Sequence, residues 1–165
     1  ELANNLVSHV ADIKQNRSVF LYHQAQTILS LKPPISFFGN FIVESEDEHK
    51  SSFDIKQVIT IITGFLRVYA LKNKLNVVNS LERLSSLVEI GKFSDQDKKG
   101  ISDTYNYLMN LRIRHQLEMI QIGKEPDNYI NPKTLSEIER SMLKNIFSKI
   151  SDLQSKMGFD FKGTL

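Results

Sequence analysis

Between Asp54 and Asn73 apolar residues recur so densely that the segment reads as a helix enclosed by other helices. At about 3.6 residues per turn, Ile55, Val58, Ile59, Ile61, Ile62, Phe65, Leu66 and Tyr69 cover more than half of its circumference. A helix apolar on that scale needs partners on several sides, which dictates a bundle. Asp54 precedes the apolar residues where its side chain can accept from free N–H groups, and Gln57 stands at capping-box spacing. The remaining strip holds Lys56, Thr60, Thr63 and Arg67, spaced by four, three and four residues and so sharing one face.

Four further helices follow from spacing and caps. The first is expected over Leu2 to Leu31, with Leu6, Val10, Ile13, Phe20, Leu21, Ile28 and Leu31 as its stripe and Arg17 and Gln24 interrupting it. Lys32, Pro33 and Pro34 end it, because proline disfavours helix in the preceding residue and lacks an N–H. Ile35, Phe37, Phe38, Phe41, Ile42 and Val43 are then expected to pack on the bundle as an irregular loop. Asn79 with Glu82 opens a short third helix closing at Gly91, and Ser94 with Asp97 opens a fourth that ends at Gly123. Thr134 with Glu137 is expected to cap the fifth, whose stripe runs Leu135, Ile138, Met142, Ile146, Ile150, Leu153, Met157. The sum is an all-α single domain over residues 1–165: four long helices and a short one, roughly up-and-down and antiparallel. Because the chain opens inside a helical pattern at Glu1, it reads as a fragment of a larger protein.

Composition removes several classes of function. There are no cysteines, hence no disulfide framework, thiolate zinc site or cysteine nucleophile. The histidines at 9, 23, 49 and 115 form no metal signature. No apolar run approaches the roughly 18 residues of a membrane span, and the expected setting is cytoplasmic. A net charge of +2 does not suggest a general nucleic-acid binder. The acidic run Glu44, Glu46, Asp47, Glu48 reads as a solvated loop, since adjacent carboxylates in a flexible segment lack the fixed geometry a cation needs.

The fourth helix places charge inside an apolar stripe. Ile101, Tyr105, Leu108, Met119 and Ile122 align, with Arg112 in their midst and His115 and Gln116 on either side. Arg114 falls on the polar face with Asp103, Asn110, Glu118 and Gln121. Arg112 should be mostly buried and must find a carboxylate, several carbonyls or a phosphate, so a structural pairing and a ligand contact are both open. His115 reads first as a satisfied core histidine. Asp95 and Asp97 have the D-x-D form of a magnesium pair, but without a preceding strand and Gly-Ser turn they read as first-turn acids favoured by the helix dipole. Pro126, Asp127, Asn128, Tyr129, Asn131 and Pro132 make a stiff connector into the fifth helix.

Taken in order, Pro33-Pro34 with Phe37-Phe38, Phe53-Asp54-Ile55-Lys56, Arg67 to Leu71, Leu111 to Leu117, Pro126 to Tyr129 and Leu135 to Leu143 resemble a known domain. It is the C-terminal substrate-binding domain of a bacterial family of nucleotidyltransferases that also carry CBS or cyclic-nucleotide-binding regulatory domains. The Asp54-Ile55-Lys56 segment is more faintly similar to the helical region of PII uridylyltransferases.

The resemblance implies a domain that is not an enzyme alone and that closes the cleft of an upstream catalytic domain in the same chain. The full-length protein would then be a nucleotidyltransferase in a signalling role. It implies no cofactor here, magnesium in the catalytic domain, and a nucleotide with a protein or small-molecule acceptor as partners. On that basis Lys56 and Arg67 would face phosphates, Thr60 and Thr63 would offer hydroxyls, Arg112 and His115 would be further contacts, and Asp54 would be a structural cap. The other reading of the strip is a solvated face. A different class of function is a non-catalytic interaction module that docks regulatory domains or forms a homodimer; an exposed Phe37, Phe38, Phe41 patch beside a flat strip would favour it.

Overall fold

A computed structural model describes residues 17–45 and 49–161. Its helices are α1 (Arg17–Ser30), α2 (Ile55–Lys72), α3 (Ser80–Glu89), α4 (Asp95–Gln121) and α5 (Glu137–Asp160). Two-residue strands β1 (Phe53–Asp54) and β2 (Tyr129–Ile130) pair antiparallel, and a 3-10 turn spans Pro132–Thr134. The fold is thus mostly helical, with a small ribbon that the apolar periodicity did not announce. The described helices contain 14, 18, 10, 27 and 24 residues.

The central place expected for α2 is realised, since it packs against α1, α3, α4 and α5. Ile55, Ile62, Leu66 and Phe65 are fully enclosed, and the core extends through Leu84, Leu87, Leu108, Leu143, Phe147 and Ile150. Oδ1 of Asp54 accepts from the N–H groups of Lys56 and Gln57 at 2.8 and 3.2 Å, which starts α2 where the sequence places it. Gly64 lets α1 approach. A Cβ there would lie 2.2 Å from Cδ1 and 2.8 Å from Cγ1 of Ile28, inside van der Waals contact. At the far end of α2, Tyr69 donates its hydroxyl proton to the Asp160 carboxylate and Lys72 Nζ donates to the Asp160 carbonyl at 3.1 Å. Burial, then this bond, push the Tyr69 hydroxyl well above the ordinary tyrosine range.

Four expectations need correction or division. In the first helix Leu21 and Ile28 are buried but Phe20 is 42% exposed; Leu6, Val10, Ile13 and the Arg17 side chain lie outside the described residues. The fifth helix is capped by Ser136 with Glu139, a complete capping box, and not by Thr134 with Glu137. Asn131 and Pro132 draw Thr134 into the 3-10 turn, where its hydroxyl donates to the Asn131 carbonyl at 2.9 Å. Ile138 and Met142 are exposed rather than core, because the buried face of α5 turns toward Leu143, Phe147 and Gln154. Phe37 and Phe38 are 99% and 86% exposed, so the apolar loop packs at its base and not at its tip. Its base is held by Phe41 stacked on Phe53 at 6.1 Å and by a bridge between Ile35 and Phe41. At its tip, Gly39 adopts φ +74 and donates its N–H to the Ser36 carbonyl at 2.9 Å.

Candidate functional site

α2 leaves one strip uncovered. Lys56, Thr60 and Arg67 are exposed and Thr63 is half-buried, whereas, apart from Gln57 in the first turn, most of the rest of the helix is enclosed by its neighbours. The threonine hydroxyls already donate within the helix, Thr60 to the Lys56 carbonyl at 2.8 Å and Thr63 to the Thr60 carbonyl at 3.3 Å. Toward an anion, which can only accept, they would first have to rotate away. Lys56 and Arg67 stand eleven positions apart (67 − 56), or about 16 Å at 1.5 Å per residue, so the two cations address opposite ends of an extended ligand rather than one phosphate.

Sequence reasoning missed a third cation. Arg83, from α3, is half-buried with Nε donating to the Val77 carbonyl at 2.7 Å. Burial, and second the like charge of Arg67, hold its pKa below the ordinary arginine value. Among the described residues no carboxylate lies within ion-pair distance of Lys56, Arg67 or Arg83. The cavity at the start of α2, about 210 Å³, takes in Asp54 and Gln57 together with Pro33, Pro34 and Glu44, but not Lys56.

Arg112 and His115 are brought together elsewhere, on the inner side of α4 against the connector. Arg112 is half-buried, not mostly buried, and its partner is neutral: Nε donates to Oδ1 of Asn128 at 2.7 Å. Because the bond is to an amide and the group is half solvated, replacing Arg112 by Ala removes an interaction worth about 1 kcal/mol, not a buried charge pair. His115 Nε2 donates to Oδ1 of Asp127 at 2.8 Å, and His49 Nδ1 lies 3.9 Å from the other oxygen. The His49 ring also stacks on Tyr129 at 3.5 Å. Burial works against ionisation of Asp127, yet the bonds from His115 and the Tyr129 N–H, with the nearby imidazoles, hold its carboxyl below the usual range. Asn128 completes the tie, since its carbonyl accepts from the Ile55 N–H at 2.9 Å and joins the connector to the first turn of α2.

The signal for these partners was present in the Asx-rich connector, but which helix residue each would meet was not. Among the described residues no group of three or more His, Asp or Glu could hold a metal ion. Asp97, the second acid of the D-x-D pair, is engaged as a cap, accepting from the Ser94 N–H at 2.9 Å and hydroxyl at 2.7 Å.

Arg114 is exposed as expected but not idle. It bonds Glu139, the acid of the α5 capping box, and so ties α4 to the start of α5. The Arg114 bond first, and then the Ser136 N–H, hold the Glu139 carboxyl down to about 2 from 4.5. A depressed acid contributes stability that is present above its unfolded value and lost on protonation. The difference in melting temperature between the wild type and Glu139→Gln is therefore expected to be full above pH 4.5 and to shrink as the pH falls toward 2. A difference that is constant across that range would remove the ion pair from the account.

The fold is that of a mostly helical domain. The chain belongs to the family described as "Putative nucleotidyltransferase substrate binding domain", whose model matches residues 18–161. No curated protein and no solved structure matches it. No helix among the described residues is long and apolar enough to cross a membrane.

Proposed function

We propose that this domain closes one side of a nucleotidyl-transfer cleft and holds the nucleotide or its acceptor against a catalytic domain upstream in the same chain. One observation carries the proposal: the open strip of the central helix presents Lys56 and Arg67, with Arg83 beside it, and no carboxylate among the described residues pairs with them. Cations left unpaired on a rigid, otherwise enclosed helix are suited to an anionic ligand, and transfer to or from phosphate depends on alignment and charge stabilisation. The second wall of the cleft belongs to the catalytic domain. Magnesium and the reacting carboxylates are assigned there, and Arg112 and His115 help by fixing the connector to α2 as well as by any direct contact. A cytoplasmic bacterial signalling protein with CBS or cyclic-nucleotide-binding domains belongs to the same proposal. The short connectors around α3 support the up-and-down order.

Changing Lys56 and Arg67 together to Ala in the full-length protein should lower kcat/KM for nucleotidyl transfer at least about tenfold, because charge-assisted bonds to phosphate are worth roughly 1.5 to 3 kcal/mol each. The fold should be unaffected, as neither residue contributes to the core. An unchanged rate in the double variant would reduce the strip to solvated surface. The second reading, an interaction module for regulatory domains or a second copy, is supported by the exposed Phe37–Phe38 turn. Family membership supports the first.

A further inference from the structure

A cavity of about 400 Å³ opens where the loop before β1 meets the start of α5, lined by Phe41, Val43, Ser51, Pro132, Lys133 and Arg140. Its volume lies in the range of small-molecule sites, about 300 to 1,000 Å³. Its floor and rim differ in chemistry. Phe41, Val43 and Pro132 supply an apolar surface, and Phe41 is fixed from beneath by its stack on Phe53. The rim is cationic. Arg140 is half-buried and anchored at one nitrogen, Nη1 donating to the Leu135 carbonyl, which leaves the rest of its guanidinium fork for a ligand. Lys133 is exposed on the 3-10 turn, whose backbone is pinned by the Lys133 N–H to Oδ1 of Asn131 at 2.9 Å. Lys144, outside the lining, lies over the Phe41 ring with Nζ 5.6 Å from its centroid. Glu139, beside Arg140 in sequence, is turned away to Ser136 and Arg114. No carboxylate among the described residues forms an ion pair with Lys133, Arg140 or Lys144.

We infer that this cavity binds a small organic phosphate with a flat apolar body, of the nucleoside monophosphate class: the phosphate meets Lys133 and Arg140 and the ring system lies on Phe41, Val43 and Pro132. A bare inorganic anion would leave the apolar floor unused, and a neutral aromatic would leave the cations unpaired. The site shares no residue with the α2 strip, so it is a second nucleotide site and does not rest on the function proposed for that strip.

Calorimetric titration of the 165-residue chain with AMP, inorganic phosphate and adenosine separates the contributions. AMP should bind more tightly than either half. Lys133→Met, at an exposed position, should weaken AMP at least about tenfold and leave adenosine unchanged, since one charge-assisted bond is lost. Arg140→Lys keeps the charge and removes the fork, and should weaken AMP several-fold with the circular dichroism intact. The inference is overturned by absence of AMP binding at millimolar concentration, by phosphate binding as tightly as AMP, or by an affinity indifferent to Lys133→Met. If AMP affinity instead falls with Lys56→Ala and not with Lys133→Met, the ligand sits on α2: this inference fails and the reading of the strip survives.

Discussion

Replacing Phe147 by Ala is expected to destabilise the domain by about 3 to 5 kcal/mol, the range for removing a buried aromatic ring and leaving its space unfilled. Phe147 is fully enclosed, and its ring meets the rings of Phe41 and Phe53 edge-on at 6.0 and 5.5 Å. Those two rings stack on each other, so the three form one cluster joining α5, β1 and the loop that carries the exposed Phe37 and Phe38. The void cannot close easily. Phe53 is held by its pairing with Ile130, and Phe41 by its bridge to Ile35. Since domains of this kind are stable by roughly 5 to 15 kcal/mol, the variant should be marginal, and urea melts should show the midpoint falling steeply. A loss below about 1 kcal/mol would mean that the cluster is not packed as described.

Gln154→Leu should cost about 2 to 6 kcal/mol for a different reason. Gln154 is buried on α5, and its side-chain nitrogen donates to the carbonyls of Ile28 and Leu31 at 2.8 and 2.7 Å. These acceptors belong to the end of α1, where a helix runs out of its own N–H donors. Leucine nearly preserves the volume but supplies no proton, leaving two carbonyls to bear a desolvation cost of about 1 to 3 kcal/mol each. Amide hydrogen exchange should rise through the last turn of α1 more than in α2. Unchanged exchange there, with a loss below about 1 kcal/mol, would show that the carbonyls find other partners.

The features legible in the sequence were those decided within a few residues. Asp54, Asn79 and Ser94 cap the helices they were expected to cap, because a cap needs only its own next three N–H groups. The wheel also placed Arg114 toward solvent, whereas Arg112, expected to be mostly buried, is only half-buried. Long-range choices were not legible. Thr134–Glu137 and Ser136–Glu139 offer the same spacing two residues apart, and the outcome turned on Asn131 and Pro132 winding the chain before the helix could begin. Ile138 and Met142 match the helical period, but period fixes a face only relative to its own helix. Which side of α5 meets α2 is set by the partner. Arg112 illustrates the same limit at the candidate site, for its partner proved to be an amide sixteen residues on rather than a charge. Arg83 had no local signature at all, since its interest lies in its proximity to Arg67 across two helices.

The β1–β2 ribbon bears on the order in which the chain assembles. Phe53 pairs with Ile130, 77 positions along the chain (130 − 53). Bringing such distant segments together costs on the order of 4 kcal/mol in loop-closure entropy, while a two-residue ribbon offers few bonds in return. The contacts of α2 with α3 and of α3 with α4 join neighbours in sequence and carry a smaller penalty. The α2–α3–α4 unit is therefore expected to form first, with the ribbon closing once burial of Phe53 and Ile130 supplies the difference. Unfolding is expected to run the other way, the ribbon parting early and releasing the connector and the first turn of α2 while the middle of the bundle is still intact, an order that hydrogen exchange would check.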